Sequence, residues 1–428
     1  MPGIKIVVTG GSYSAGAVFN YLEKLQTIFR ESVDLIFVSD RKFFVYDEIL
    51  LHYLSNSASL NEAGQWIREI VFLRPGISFI ESTVLNINFE NKDIYTEKGV
   101  IKYDYLVLAP HNDSEGELNF DCSEKPFSAN SPAHIFKLKN SIIENLEKAV
   151  HERDLEIKNS LLSFSIIGGN KFGIELAFSF RDFIDRIIKK SYPELKSSSV
   201  RINLIGEDNV DSLNKDPFFK SKIFFYLNKK RIVTYNNTKI QKIKGNKILF
   251  DDNNEILSSL MVVNNPNRCS SLLELLKKMH GRDFLPNVNF YMQAEKHENV
   301  FIIGEFANCL DLTEDTPKGL LFYKKQAKIC AQNICAKINN TSMKLLKDDF
   351  KIDFMSIGYL NSLFEIRNVY LDGIVGWLIQ RAFLVYLSLG PIKKLKVLAG
   401  MFSGLFGLNQ IELIDIYEFD FSKQSLKK

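Results

Sequence analysis

The sequence lacks several features that define common functional classes. Its five cysteines, at positions 122, 269, 309, 330 and 335, form no CxxC pair, which argues against both a disulfide framework and a thiol–disulfide redox centre. A formal net charge of +3 in 428 residues gives no sign of nucleic-acid binding. No charged segment followed by an apolar one precedes the first predicted strand, so we expect a cytoplasmic location rather than secretion.

The sequence does contain two similar glycine-rich turns, and the more regular one lies mid-chain. An apolar strand over 163–167 runs into Gly168, Gly169, Asn170 and Gly173, here called the central turn. An amphipathic helix is predicted over 172–190 and a second strand over 200–205. Such a βαβ unit presents backbone N–H groups and a helix N-terminus to a dinucleotide pyrophosphate.

The N-terminal segment repeats this pattern. A strand over 4–9 precedes a turn of small residues, here called the N-terminal turn, which contains Gly10, Gly11, Ser12, Ala15 and Gly16. A helix over 17–29 and a strand over 33–38 follow. Two units of this type predict two nucleotide cofactors held face to face.

Each unit is followed by a similar excursion into short strands. Residues 77–108 alternate as a small antiparallel sheet that ends in a return strand before Ala109, and residues 232–263 repeat that plan. A buried strand over 299–305 and a helix over 319–338 would complete the first sheet. We therefore predict an α/β protein with two Rossmann-like domains, the second inserted into the first. The predicted divisions are 1–135, 136–298, 299–345 and 346–428.

The first unit carries acidic residues whose role the sequence leaves open. Asp40 follows the second strand, where an acid accepts hydrogen bonds from a ribose, but a solvated turn residue fits equally well. The segment 43–54 surrounds Asp47, Glu48 and His52 with apolar side chains. It could line a pocket or form a buried helix with one polar face.

The C-terminal region is apolar but interrupted. Gln380 and Arg381 leave the run over 373–390 too short to span a membrane, which takes about 20 residues. We predict two amphipathic helices in the membrane surface, with Trp377 and Tyr386 at the interface and lysines from Lys393 onward facing anionic head groups. The alternative is a buried helical hairpin.

Several segments together resemble one family. The order of IIGGNKFGIELA, SYPEL, IKYDYLVLAP and NVFIIGE, followed by the apolar tail, resembles the type II NADH:quinone oxidoreductases of the pyridine nucleotide–disulfide oxidoreductase superfamily. The resemblance covers nearly the whole chain. It implies a glutathione-reductase-like fold with FAD on the N-terminal domain, NADH on the central domain and a quinone reached from the membrane side.

The resemblance also implies the residues of each site. For FAD they are Gly10, Gly11, Ser12, Ala15, Gly16, Asp40, Ala109, Gly304 and Glu305, and for NADH they are Gly168, Gly169, Asn170, Gly173 and Glu207. Glu175 corresponds to a nicotinamide or proton-relay contact, although it could equally be a first-turn carboxylate favoured by the helix dipole. No metal is expected. The resemblance implies a peripheral protein on the cytoplasmic side of the cell membrane, and a homodimer is left open.

The chain departs from this family at identifiable positions. Ser12 and Asn170 stand where the middle glycine of each turn is usual. We expect His111 to lie on a surface loop rather than against the flavin, and Lys324 to lie on a solvated helix face with its neighbour Lys325. Two alternatives stay open: a non-catalytic, membrane-associated binding or scaffold protein, and a sulfide:quinone reductase-like flavoprotein that would use Cys122.

Overall fold

A computed structural model describes the fold of this protein. It describes residues 3–29, 32–71, 76–111, 121–122, 126–206, 210, 213, 217–263, 271–280, 287–309, 319–347, 352–366 and 369–405. Within them the chain is a mixed α/β structure with several separate sheets.

The strands fall into one large sheet, one medium sheet and several small ones. In chain order they are β1 (Ile4–Thr9), β2 (Val33–Ser39), β3 (Phe43–Val45), β4 (Gly64–Trp66), β5 (Ile77–Glu81), β6 (Val84–Asn88), β7 (Asp93–Thr96), β8 (Gly99–Lys102), β9 (Tyr105–Leu108), β10 (Asp121–Cys122), β11 (Phe127–Ser128), β12 (Ser163–Ile167), β13 (Arg201–Gly206), β14 (Ile232–Asn236), β15 (Ile240–Lys244), β16 (Lys247–Phe250), β17 (Glu255–Leu257), β18 (Leu260–Val263), β19 (Asn287–Val288), β20 (Gln293–Ala294), β21 (His297–Ile302), β22 (Asn308–Cys309), β23 (Ile352–Ser356), β24 (Ser362–Ile366) and β25 (Val369–Leu371).

The helices lie between and around these strands. They are α1 (Tyr13–Leu25), α2 (Asp47–Leu54), α3 (Leu60–Ala63), α4 (Pro132–His151), α5 (Leu155–Leu161), α6 (Lys171–Ser191), α7 (Pro217–Lys229), α8 (Ser271–His280), α9 (Leu320–Ile338), α10 (Gly373–Leu387) and α11 (Pro391–Leu405). Short 3₁₀ turns occupy Gln26–Ile28, Ile67–Glu69 and Ser197–Ser199.

The two larger sheets are built on the same plan. In the eight-stranded sheet the order is β22-β19-β20-β21-β9-β1-β2-β5, and in the five-stranded sheet it is β11-β18-β12-β13-β14. The strand before the glycine turn lies centrally in each, with the strand after the helix on one side and the return strand on the other. All three of these strands run parallel. This matches the Rossmann-like unit predicted from each turn.

The second unit is inserted into the first. The chain leaves the large sheet after β9, builds the five-stranded sheet, and re-enters the large sheet at β19. Each unit also carries its small antiparallel sheet, β6-β7-β8 in the first and β15-β16-β17 in the second. The predicted fold class is therefore confirmed, whereas the exact division of the chain into domains stays a prediction.

Burial explains why the central strands and helices form where they do. Every residue of β12 is buried, as expected for a parallel strand covered on both faces. Helix α6 begins one residue before its predicted start and ends one residue after its predicted end. Helix α1 begins at Tyr13, earlier than predicted, because Ser12 caps it.

Helices α10 and α11 lie against the first unit with polar contacts on their inner face. Arg381 is fully buried beside Glu62, at 3.5 Å, and donates to the Ser57 carbonyl at 2.6 Å. Lys393 is also buried and donates to three backbone carbonyls, of Asn61, Glu62 and Gly64. Among the described residues, no helix is long and apolar enough to cross a membrane.

Two expectations for this region were wrong. Trp377 is fully buried, with the Arg381 guanidinium 5.3 Å from its ring centroid, and therefore cannot anchor the chain at a membrane interface. The amine of Lys393 faces inward and cannot reach a lipid head group. Arg381 and Lys393 turn inward because they bond polar backbone at and beside α3, which a count of apolar residues along α10 and α11 does not show.

Candidate functional site

The N-terminal turn is held tightly against the end of β9. Gly10 has a φ of +124°, a conformation that L side chains rarely adopt, and its amide donates to the Val38 carbonyl at 3.0 Å. A Cβ at this position would lie 2.0 Å from the Ala109 carbonyl oxygen. Glycine is therefore required here by both backbone conformation and space.

Ser12 takes the place of the middle glycine and caps α1. Its Oγ accepts from the Ala15 amide at 3.2 Å and donates to the Ala109 carbonyl at 3.0 Å. The amides of Tyr13 and Ser14, the first two of the helix, have no intrahelical acceptor by position. The cap thus satisfies the amide of Ala15. The amides of Tyr13 and Ser14 point out of the N-terminal end of the helix.

The central turn has the same geometry. Gly168 has a φ of +127°, and a Cβ on Gly173 would lie 1.8 Å from the Gly168 carbonyl oxygen. Asn170 caps α6 by accepting from the Gly173 amide through its Oδ1 at 3.0 Å, and the intervening Gly169 is buried. The amides of the first two α6 residues correspond to those of Tyr13 and Ser14 in α1.

The end of β21 meets the N-terminal turn. Gly304, with a φ of +97°, lies so close to Ser14 that a Cβ would be 3.0 Å from the Ser14 Oγ. Its amide donates to Oε1 of Gln326 on α9 at 2.8 Å, and the next residue, Glu305, is exposed. The structure therefore brings Gly304 and the start of α1 together, as the resemblance implies.

Two side chains lie over Gly11. Its amide donates to Nδ1 of His111 at 3.3 Å, and a Cβ on Gly11 would be 3.1 Å from both the His111 ring and the Arg41 side chain. Burial, followed by the nearby Arg41 charge, lowers the pKa of His111 to about 4. The expectation of a surface histidine was wrong, because the chain after β9 folds back over the turn.

The remaining predicted residues of the first site are more dispersed. Asp40 is exposed just after β2 and accepts from the Ser271 hydroxyl at 2.9 Å. Gly16 faces the core, where a Cβ would be 2.9 Å from the Phe44 ring, so its small size serves packing. Glu207, predicted for the second site, lies outside the described residues.

Glu175 and Glu48 occupy the junction between the two units. Glu175 is buried on α6 and accepts from the Ser356 amide at 2.7 Å. Glu48, on α2, accepts from the Leu320 amide at the start of α9 at 3.4 Å. Burial raises the pKa of Glu48 to about 7, with the Glu175 charge acting in the same direction. Sequence reasoning noted Glu48 within segment 43–54 but assigned it no role.

Two lysines and two cysteines on α9 were also weighed from the sequence. Lys324 is buried, and its amine donates to the Tyr386 carbonyl, so the expectation of a solvated face was wrong there. Burial lowers the pKa of Lys324 to about 8. Cys330 and Cys335 are buried, as expected of core residues. Cys122 lies on β10, which pairs with β15 of the second unit.

The described residues fit a dinucleotide pyrophosphate at each turn. A phosphate binds well at a helix N-terminus, and the first two amides of α1 and of α6 lack an intrahelical acceptor by position. Gly10 and Gly168 supply the sharp turn before each helix. His111 and Arg41 distinguish the N-terminal turn, because a ligand over Gly11 would contact both side chains.

Comparison with known proteins agrees with this geometry. No protein-family model matches the chain. A probable NADH dehydrogenase of Dictyostelium discoideum is 23% identical over 71% of this chain and 68% of its own length. A type II NADH:quinone oxidoreductase of Haemophilus influenzae is 22% identical over 68% and 71%. The structure of NDH2 from Plasmodium falciparum in complex with NADH matches with a TM-score of 0.76 over 96% of this chain and 100% of that one, at 16% identity.

The chain is similar to type II NADH dehydrogenases in sequence and shares their fold. The share of the chain that aligns differs from one relative to another. The alignment with an external alternative NAD(P)H-ubiquinone oxidoreductase of Arabidopsis thaliana covers only 47% of this chain and 36% of that protein. A sulfide:quinone oxidoreductase from Aquifex aeolicus also shares the fold, with a TM-score of 0.68 at 16% identity. Among these comparisons the curated sequence relatives favour the NADH dehydrogenase-like prediction over the sulfide:quinone alternative.

Proposed function

We propose that this protein is an FAD-dependent oxidoreductase that passes electrons from NADH to a quinone without pumping protons. The observation that carries the proposal is the pair of glycine turns, each followed by the N-terminus of a helix, on two sheets of the same plan. The relatives named as NADH:quinone oxidoreductases support the same assignment.

The N-terminal turn would hold FAD. Gly10 and Ser12 shape the turn, the amide of Ser14 meets the pyrophosphate, and Gly304 with Glu305 approaches from β21. We assign Gly11, Ala15, Gly16, Asp40 and Ala109 to the same site, with Ala109 closing the turn and Gly16 packing the helix. When bound, FAD supplies the chemistry by accepting a hydride from NADH and passing two electrons to the acceptor.

The central turn would hold NADH. Gly168, Gly169, Asn170 and Gly173 form the phosphate end, and Glu207 after β13 would contact the ribose, where an acid favours NADH over NADPH. Glu175 would line the nicotinamide end. Its carboxylate is fixed by the Ser356 amide, so it is already oriented before a ligand arrives. The protein's own contribution is to position the two nucleotides and exclude water.

The domain assignment follows from these sites. We propose that residues 1–135 and 299–345 form the FAD domain, that residues 136–298 form the NADH domain, and that residues 346–428 form the membrane-association region. The quinone would then reach the FAD domain from the side covered by α10 and α11. A homodimer is compatible with this arrangement.

The outer face of α10 and α11 supports peripheral membrane attachment. Ile392, Leu395 and Phe402 are 51%, 66% and 54% exposed, and Ile374 and Tyr386 are also exposed. An apolar helix face of this kind lies in the lipid interface, and we propose the cytoplasmic side of the cell membrane. Leu395→Glu should reduce co-flotation with anionic vesicles several-fold, whereas an unchanged flotation would contradict attachment through this face.

The purified protein tests the enzymatic proposal directly. We expect absorbance near 450 nm from bound flavin, bleaching by NADH under anaerobic conditions, and recovery of the absorbance on addition of a soluble quinone. A well-folded, colourless protein that FAD cannot reconstitute would overturn the proposal and favour a non-catalytic binding or scaffold protein. A flavoprotein that NADH does not reduce would retain the FAD assignment and overturn the NADH assignment.

A further inference from the structure

Glu48 lies where the first turns of three helices meet. Its Oε1 accepts from the Leu320 amide at the start of α9, and a Cβ on Gly319, the cap of that helix, would be 3.9 Å from the same oxygen. Tyr46, two residues earlier in the chain, lies against Tyr13 at the start of α1 with ring centroids 5.4 Å apart, and α2 packs against α6. Glu48 is therefore placed between the N-terminal turn and the central turn.

The second oxygen of Glu48 has a different environment from the first. Oε2 is shielded from solvent and has no hydrogen-bond partner among the described residues. A carboxylate that only stabilised the start of α9 would need one oxygen and could leave the other in water. A buried oxygen without a partner carries a free-energy cost, which a proton or a ligand donor relieves.

The charged groups that face Glu48 come from the neighbouring elements. Lys171, the first residue of α6, lowers its pKa, but the amine of Lys171 is already bonded to Asp353 at 2.7 Å. Glu175 on the same helix raises its pKa, and the Glu48 charge in turn raises the pKa of Tyr13 at the start of α1. Burial is the largest effect, and together these groups hold the pKa of Glu48 at about 7.

The proposed reaction consumes a proton. NADH delivers a hydride, which carries two electrons and one proton, whereas reduction of a quinone to a hydroquinone takes two electrons and two protons. The balance is NADH + H⁺ + quinone → NAD⁺ + hydroquinone. One proton per turnover must therefore come from a protein group or from solvent, and a group that ionises near neutral pH is well suited to supply it.

We propose that Glu48 supplies this proton and is reprotonated from solvent, an inference that rests on the proposed function. The O–H bond of the neutral carboxyl breaks, the proton moves toward the reduced acceptor, and the carboxylate left behind is stabilised by the Leu320 amide and the dipole of α9. Glu175, whose carboxylate is held by the Ser356 amide, raises the pKa of Glu48.

Replacement of Glu48 by Gln is the main test. Because the donor works in its neutral form, the kcat of the wild-type holoenzyme should fall as pH rises through about 7, approaching tenfold per pH unit above it. Glu48→Gln should lower kcat at pH 7 by about 10- to 100-fold and flatten this limb, with the flavin content unchanged. Glu48→Asp should retain the pH-dependent limb at a reduced rate.

A matched control and a second readout separate this role from a structural one. Glu156 is also the second residue of its helix, α5, but is exposed on the surface, so Glu156→Gln should leave the rate and pH profile unchanged. In the cofactor-free protein, an infrared carboxyl band should titrate near pH 7 and vanish in Glu48→Gln. If Glu48→Gln does not fold, the pH profile and carboxyl band of Glu48→Asp provide the same test.

Two outcomes would overturn the inference, and they are distinguishable. A Glu48→Gln holoenzyme with wild-type kcat and an unchanged pH profile would show that the proton comes from elsewhere while the proposed function stands. A wild-type protein that binds no flavin or fails to reduce quinone would overturn the proposed function and the proton role with it, whether or not the infrared band titrates.

Discussion

The two glycine turns share one design but are fixed by different parts of the molecule. In the central turn the tightest approach is internal, between Gly173 and the carbonyl of Gly168, five residues earlier in the same motif. In the N-terminal turn the tightest approach is to a neighbouring strand, between Gly10 and the Ala109 carbonyl, and His111 adds a further tie. The same motif can therefore be held by local or by tertiary contacts.

The largest expected effect is at Gly10. Gly10→Ala would place a Cβ 2.0 Å from the Ala109 carbonyl oxygen at a φ of +124°. Strain and overpacking together should lower the free energy of unfolding by about 3–5 kcal/mol. Urea unfolding measures this. Gly99→Ala is the matched control, because Gly99 has a φ of +126° with nothing within 4 Å of its Cβ position. An equal loss in both variants would show that backbone strain alone matters.

The second-largest expected effect is a pH dependence of stability that distinguishes the N-terminal turn from the central turn. Burial and the Arg41 charge lower the pKa of His111 to about 4, below its ordinary value of about 6.5, so the folded protein binds fewer protons than the unfolded chain between these values. Stability from this group is complete above pH 6.5 and is lost as pH falls toward 4, by up to about 3 kcal/mol.

His111→Asn keeps an acceptor for the Gly11 amide and removes the titration. The difference in unfolding free energy between wild type and this variant should therefore change with pH between 6.5 and 4, as followed by urea unfolding at a series of pH values. The exposed His151 provides the control, since His151→Asn should leave that dependence unchanged. A wild-type slope retained in His111→Asn would contradict the assignment.

The central turn should respond less than Gly10 does. Gly173→Ala would put a Cβ 1.8 Å from the Gly168 carbonyl oxygen, but at a helical position where alanine itself is favoured by about 1 kcal/mol. We expect a net loss of about 2 kcal/mol and weaker NADH binding by calorimetry. Gly64→Ala, with nothing within 4 Å, should have little effect on either. A stable variant with unchanged affinity would argue that the turn can relax.

The smallest effects come from the two caps. Ser12→Ala and Asn170→Ala each remove one side-chain bond to a helix amide and should cost about 1 kcal/mol. Ser12→Ala should cost slightly more, because Ser12 also donates to the Ala109 carbonyl. Thermal unfolding measures both, with Ser131→Ala at the start of α4 as a reference cap. A larger loss of stability in Asn170→Ala than in Ser12→Ala would show that the cap of the central turn contributes more than the cap of the N-terminal turn.

Much of the fold followed from local patterns. The βαβ units and the insertion of one unit into the other were predicted from strand periodicity and from two similar turns of small residues. The caps at Ser12 and Asn170 were recognised only as missing glycines, although serine and asparagine are the residues expected at a helix start. Each of the two residues can be recognised from the sequence as a helix cap once the helix is taken to start at the residue that follows it.

The candidate site was predicted less completely because its contacts join distant segments. Residue 48 meets residue 320, and residue 11 meets residue 111, so no sequence window contains either pair. Lys324 has a charged side chain that, taken alone, favours exposure, yet it is buried. Trp377 was expected at a membrane surface and is buried inside the protein instead. Tertiary packing decides which residues are covered, and the pattern of polar and apolar residues in the sequence does not report that packing.

By itself, the sequence determined the two nucleotide-type turns, the helices that follow them and the succession of strands along the chain, because these depend on neighbouring residues and on periodicity. Only the tertiary structure decided that His111 closes the first turn, that α10 and α11 bury their charges against the first unit, and that Glu48 stands between the two turns. These features depend on which surfaces exclude water together, and that free energy exists only once the chain has folded.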